Sequence, residues 1–500
     1  MLDICNVLFK QLNTNEIIYC HFKSIEHLDA GLNGDTDIDI LVSKGSKDTF
    51  NKILLDLKFI LFNSHKKSSF LDVNDWIGFD YQTGNLIHLH VHYSLVSGLQ
   101  FVKNFSIPWD EFILSHRVYD KNRNTFIIDP NLELILIYIR LILRMTILEK
   151  FKIRFNQYNL SKAFKDEISF LEKQVTFNKL ELFSSNLIKD NQSEFIDILN
   201  ENRFKVRIKR LLKLTKKLSK KMSTMSEYQA NYLHYKNKYL QIFNIKLKNH
   251  LNKPTITKKT LFGSGVSIAF LGADGSGKST LARDISKWLG WKIENHVFYF
   301  GTGDGYKSIQ KQLVNRLYSR KKESSKVSID KNQAIKSNNL VFKLKRFIGI
   351  LYLHNISKRL RKVNITSKSY ISKGGIALYD RFPQNQFLGI NDGPKIRIKF
   401  PENMNLFTSF LVNLEEKNIQ RVVDNPPNLV IKLDVDAETS KIRKPDHNFE
   451  TIVNKVRIVQ SLNFEKSEVF QIDANQDYTD VFISVKRIIW DFLNKHTKSL

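Results

Sequence analysis

The sequence predicts an α/β chain of several domains, and three observations predict it. An apolar run, VSIAFL (266–271), leads through a glycine-rich turn into LARDISKWL (281–289), whose apolar spacing is helical. Short alternating stretches broken by turn residues fill residues 1–128 and give that region an α+β texture. Between them Gly and Pro are scarce and apolar residues recur at spacings of three and four, the pattern of helices. The expected organisation is an α+β domain over 1–128, a helical connector over 129–260 and a parallel-sheet domain over 261–500. A chain of 500 residues accommodates several domains at ~100–200 residues each.

Composition bounds the function classes. A hydrophobic share of 42% with 36 Phe and 17 Tyr supplies enough apolar surface for sizeable cores, which excludes global disorder. Two cysteines, Cys5 and Cys20, build neither a disulfide framework nor a Cys-rich zinc site, so the thiols are expected to be inert and the compartment reducing. MLDICNVLFK has no basic segment followed by a long apolar one, so a cytoplasmic location is expected.

In the first region DIDILV (37–42), WIGFDY (76–81) and LIHLHVHY (86–93) have strand character, and Thr83-Gly84-Asn85 supplies hairpin chemistry between the last two. Asp37 and Asp39 lie two apart, so on a strand they project from one face. Paired carboxylates after a glycine turn suit a site for divalent metal ions, since such ions are bridged by negative oxygens. GLNGDTDIDILV (31–42) resembles the nucleotidyltransferase superfamily, whose Gly-rich turn precedes an Asp-x-Asp strand, over residues 15–95. The resemblance implies metal binding by Asp37 and Asp39 and a third carboxylate on a later strand, for which Asp80 is a substitute. His88, His90 and His92 alternate on the strand where that carboxylate is expected; they read as a polar pocket lining, as incidentally exposed side chains or as transition-metal ligands.

The middle region opens on Leu132 to Leu148, which is apolar but holds Glu133, Arg140 and Arg144 and is shorter than the ~20 residues of a membrane span. A buried helix is expected there, and no transmembrane segment. Lys plus Arg number 78 against 50 Asp plus Glu, a formal +28, and residues 201–260 alone hold 17 of the cations against two acids. Lys205 to Lys221 is amphipathic, and a solvated helix face is the simplest account of it. The alternative is an ATP-regulated nucleic-acid or membrane-surface binding protein that uses this basic stretch.

The third region carries GADGSGKST (272–280): Gly272, four residues, then Gly277, Lys278 and Ser279, between a strand and a helix, which is the phosphate-binding P-loop pattern. Gly272, Gly275 and Gly277 let the backbone curl so that the N–H groups of Asp274 to Thr280, Ser276 among them, face phosphate oxygens. Lys278 brings a full charge to the β and γ phosphates of ATP, and the Ser279 hydroxyl can ligate Mg²⁺. Further on, GGIALYDRFP (374–383) ends a short strand in Asp380-Arg381, and PPNLVIKLDV (426–435) is another strand. In a parallel sheet the carboxyl ends of strands converge on the nucleotide, placing Asp380 near Mg²⁺ and Arg381 near a phosphate.

These motifs, with FLGADGSGKST (270–280), YDRFP (379–383), Arg443-Lys444 and QIDAN (471–475) in that order, resemble the thymidylate kinase family of nucleoside monophosphate kinases over residues 264–490. The resemblance implies an ATP-dependent phosphotransferase in which Asp274 approaches the acceptor's sugar hydroxyl, Arg381 holds its phosphate and Arg443 neutralises the transferring phosphoryl group. Phe382 stands where the family has Tyr or His, PQNQFLGINDGPK (383–395) replaces the base-recognition pattern, and a basic insertion of roughly seventy residues follows HVFYFG (296–301). The expected acceptor is therefore a nucleotide or a sugar. Chains joining these two modules resemble bacterial proteins of surface-polysaccharide assembly, which implies a carbohydrate-linked acceptor.

Overall fold

The computed structural model describes residues 1–64, 70, 72–155, 157–158, 160–251, 254–301, 331–400 and 405–498. Residues 302–330, the first part of the basic insertion, lie outside this set, as do Asn252 and Lys253. The chain divides into two units, Met1–Phe262 with Arg487–Leu500, and Gly263–Lys486.

The first unit is mixed α/β. Its strands are β1 (Tyr19–His21), β2 (Ile38–Val42), β3 (Ile60–Phe62), β4 (Val73–Phe79), β5 (Leu86–His92), β6 (Leu95–Ser97), β7 (Phe105–Ile107), β8 (Val118–Asp120) and β9 (Thr125–Ile127). Seven of them form one sheet in the order β3-β4-β5-β2-β1-β9-β8, while β6 and β7 pair separately. The β4–β5 hairpin is antiparallel and β2 runs parallel to β5, with Asp39 opposite His90.

Period-two alternation decides what each face of this sheet meets. Ile38, Ile40 and Val42 of β2 and Ile87, Leu89 and Val91 of β5 enter one core with helices Asp3–Thr14 and Lys47–Asp56. Leu41 and Cys20 point the other way, into a second core built from the helices that follow residue 129. Asp37, Asp39, His88, His90 and His92 share that second parity.

Helix Pro130–Leu143 starts from an Asp129 side chain that accepts the Asn131 N–H, with Pro130 in the first turn, where its missing donor costs nothing. It is buried along nearly its whole length, as its composition predicts. The following helices, through Phe204–Met222, pack into the same core through Phe195, Ile208, Leu211 and Leu214. The stretch expected to be a connector therefore forms a covering layer of the first unit. An amphipathic helix must bury its apolar stripe, and the second face of the sheet is what these stripes cover. Lys205, Lys213, Lys216 and Lys217 on Phe204–Met222 are exposed, and Lys217 pairs with Glu194 at 2.9 Å. No described helix is long and apolar enough to cross a membrane.

The second unit has a five-stranded sheet of β10 (Ser267–Gly272), β11 (Asn295–Tyr299), β12 (Ile376–Asp380), β13 (Leu429–Asp434) and β14 (Glu468–Asp473), ordered β11-β12-β10-β13-β14. Every pairing is parallel, as the sequence predicts. β10 is central and all six of its residues are buried, which explains its unbroken apolar run. Its register places Phe270 beside Asp380 and Gly272 beside Leu433, so three strands end together at one edge.

Candidate functional site

At that edge β10 passes through residues 273–277 into helix Lys278–Leu289. Gly275 has φ +87°, and a Cβ there would lie 2.9 Å from the Ser440 carbonyl, so both backbone freedom and close approach demand glycine. A Cβ on Gly272 would run into the Ser276 hydroxyl. Gly277, at φ +86°, opens the helix whose N-terminus faces the loop. The Ser276 hydroxyl is buried with no hydrogen-bond partner among the described residues.

Lys278 is 5% exposed and donates from Nζ to the Ala273 carbonyl at 2.9 Å. Burial, followed by the neighbouring Arg381 guanidinium, pushes its pKa down to about 8. Ser279 and Thr280 begin the helix on its exposed side. Asp380 ends β12 and is 7% exposed; its Oδ1 is buried and has no hydrogen-bond partner among the described residues. An orphaned carboxylate oxygen beside a phosphate loop is what a divalent cation, or water on one, would satisfy. These donors therefore fit magnesium.

Asp274 gathers basic side chains from four places. Lys455 Nζ lies 2.5 Å away, His447 Nδ1 3.5 Å, and Lys278 Nζ and Arg381 Nη2 3.9 Å each. Burial raises its pKa, but the Lys455 hydrogen bond and the surrounding charges outweigh that and hold the carboxyl below its ordinary value. Lys455 and His447 are functional neighbours that sequence reasoning missed. No local motif marks them, since they reach Asp274 through tertiary packing of helix Phe449–Ser461 and the segment before it.

Two cavities flank the loop. One, of about 270 Å³, is lined by Asp274, Arg381, Lys395, Lys399 and Lys455, with Tyr352 and Phe300 among its apolar walls. Much of its apolar lining comes from Lys331–Ile371, the 41-residue helix that occupies the later part of the insertion. The other cavity, of similar size, runs past Gly275, Gly277 and Thr280 to Arg443, Ala474 and Tyr478. Arg443 donates to the Ala474 carbonyl at 3.0 Å and to Gly275 at 3.4 Å, which places it on this second cavity with the loop of QIDAN. Phe382, where a polar residue is expected, is 1% exposed and stacks on Tyr379 at 14°. It is a core residue.

In the first unit the Asp-x-Asp pair faces β5. His88 lies 2.8 Å from both Asp37 and Asp75. Asp39 lies 2.6 Å from Lys23 Nζ and 2.9 Å from His90 Nδ1. The structure thus brings Asp39 together with His90 and His92, whereas Asp37 shares His88 with Asp75. Asp80, the expected third carboxylate, instead accepts the backbone N–H groups of Ile4 at 3.1 Å and Thr83 at 2.8 Å, so it holds a turn. The third carboxylate beside the histidines is Asp75 on β4. His88 hydrogen-bonds it, and Lys259 adds a charge at 3.6 Å; against the effect of burial these hold it below the usual carboxylate range.

Comparison with known proteins bears on the nucleotide. Over 227 residues, 44% of the chain, it is 27% identical to the uncharacterized ATP-binding protein YghR of Escherichia coli K12, covering 86% of that protein. The chain is similar to ATP-binding proteins. A second relative, the uncharacterized ATP-binding protein YghS of the same strain, is 24% identical over 226 residues, 44% of this chain and 91% of that protein. No family model matches. Among solved structures, deoxyadenosine kinase from M. mycoides with bound dATP has a TM-score of 0.27 and 16% identity, over 45% of this chain and 98% of that one.

Proposed function

We propose that the Gly263–Lys486 unit is an ATP-dependent phosphotransferase, of nucleoside monophosphate kinase type, acting on a small anionic acceptor such as a nucleotide or sugar phosphate. One observation carries the proposal: a buried lysine of the glycine-rich loop and, at the end of the neighbouring strand, a buried carboxylate oxygen with no hydrogen-bond partner among the described residues, with a cation-lined cavity opening beside them. The similarity to proteins named as ATP-binding supports the nucleotide.

In this account the loop N–H groups and Lys278 hold the triphosphate, and Arg443 borders the cavity that receives the base. Arg381, Lys395, Lys399 and Lys455 attract the acceptor's anionic group, while Asp274 accepts a hydrogen bond from its hydroxyl. Such catalysis is positioning and electrostatics, so fixed cations around the transferring group suffice. Asp380 and Ser279 would hold Mg²⁺, which supplies charge neutralisation between the β and γ phosphates. Nucleotidyl transfer by the first unit is not part of the proposal, because Asp80, the third carboxylate such a site would use, holds a turn instead.

The test is transfer of labelled phosphate from Mg·ATP by the full chain to a panel of nucleoside monophosphates, sugars and sugar phosphates. Labelling of at least one acceptor is expected; ATP binding with no transfer to any class would reject the proposal. A pH profile adds a second check. Lys278 is charged below its pKa of about 8, so kcat/KM for ATP should decline as pH rises through that value. Lys278→Arg, which stays charged, should remove that decline from whatever activity it retains.

A further inference from the structure

Three lone-pair donors from neighbouring strands converge in the first unit. His90 Nδ1 lies 2.9 Å from Asp39 Oδ1 and 3.2 Å from His92 Nε2, and His92 Nε2 lies 3.8 Å from the same Asp39 oxygen. His92 is 2% exposed. A cation inside the triangle would take a lone pair from each of the three atoms.

We propose that the first unit binds one zinc ion through Asp39 Oδ1, His90 Nδ1 and His92 Nε2. The sides of the triangle straddle the roughly 3.3 Å edge of a tetrahedron whose metal–ligand bonds are about 2.0–2.1 Å. Two imidazoles and one carboxylate suit zinc, whereas magnesium prefers an all-oxygen, largely hydrated set. The ligands stand on rigid scaffold: Asp39 on β2 and the two histidines at alternate positions of the neighbouring β5, in register at Asp39 and His90. Three protein donors leave the fourth position for water or for an oxygen of a bound ligand, and His90, whose side chain is 25% exposed, opens that side to solvent. Lys23 competes for the same carboxylate oxygen at 2.6 Å.

The experiment is zinc stoichiometry of the full chain by mass spectrometry after dialysis against chelator-free buffer, with cobalt substitution read from its visible absorption. One zinc per chain is expected, retained in millimolar magnesium, together with the intense bands of tetrahedral cobalt. Asp39→Asn and His90→Gln should abolish binding while leaving ATP binding at Lys278 unchanged. Lys23→Met should tighten zinc at least ~10-fold by removing a competing charge. His90→Gln alters a partly exposed ring, so it carries the test if buried replacements fail to fold. A wild-type chain that holds no zinc, zinc displaced by magnesium, zinc retained by both ligand variants, or no tightening in Lys23→Met would each overturn the proposal.

Discussion

Replacing Lys278 with alanine will lower ATP-dependent phosphoryl transfer by about 10²–10³-fold and leave the protein folded. The size follows from what the ammonium does. It is a full positive charge at the floor of the loop, held out of water at 5% exposure, where a charge acts on a phosphate far more strongly than at a surface. Without nucleotide its described hydrogen bond is to the Ala273 carbonyl, a partner it can exchange for phosphate oxygens. Folding should survive, because burial and Arg381 both work against the charge at this position. Alanine removes a poorly tolerated ammonium and a single hydrogen bond. Circular dichroism and a thermal melt establish the fold, and labelled transfer measures the loss; a folded variant with near wild-type turnover would reject the site.

Asp380→Asn should cost about 10²-fold in kcat, and the loss should depend on metal concentration. The substitution keeps shape and volume at the end of β12, so packing around Tyr379 and Phe270 is preserved while the negative charge goes. A buried oxygen with no hydrogen-bond partner among the described residues is one that a bound cation or its water would satisfy. Titrating magnesium at fixed ATP separates the possibilities. The expected outcome is a higher magnesium requirement with a reduced ceiling, and an unchanged magnesium curve would remove Asp380 from the metal site.

The parts of this fold legible in the sequence are those encoded by neighbours along the chain. Residues 266–289 carry strand, turn and helix in one uninterrupted stretch, and the apolar run, the glycines and the amphipathic spacing each require the same local structure. β12 and β13 were legible for the same reason, each being a short apolar run bounded by turn residues, whereas β14 was marked only by the resemblance that QIDAN carries. The remainder depended on which distant segments meet. Lys455 follows Asp274 by 181 residues and carries no motif of its own. Asp80 is the carboxylate the sequence suggests for the third position, and the hairpin register overrides it, setting Asp75 opposite His90 while Asp80 begins a turn. The helices after residue 129 reveal their apolar stripes but not the surface those stripes cover.

That shared surface has a bearing on how the first unit can be divided. Cys20, Phe22 and Leu41, from the strands, belong to one apolar interior with Ile135, Ile139, Phe195 and Leu211, from helices far along the chain. A fragment ending near residue 128 would leave greasy ground bare on the very side of the sheet that bears Asp39 and His90. The strands and the helices over them therefore stand or fall as a block, and a cut near residue 128 divides one interior, whereas the boundary between the units falls at residue 262 and again at residue 487.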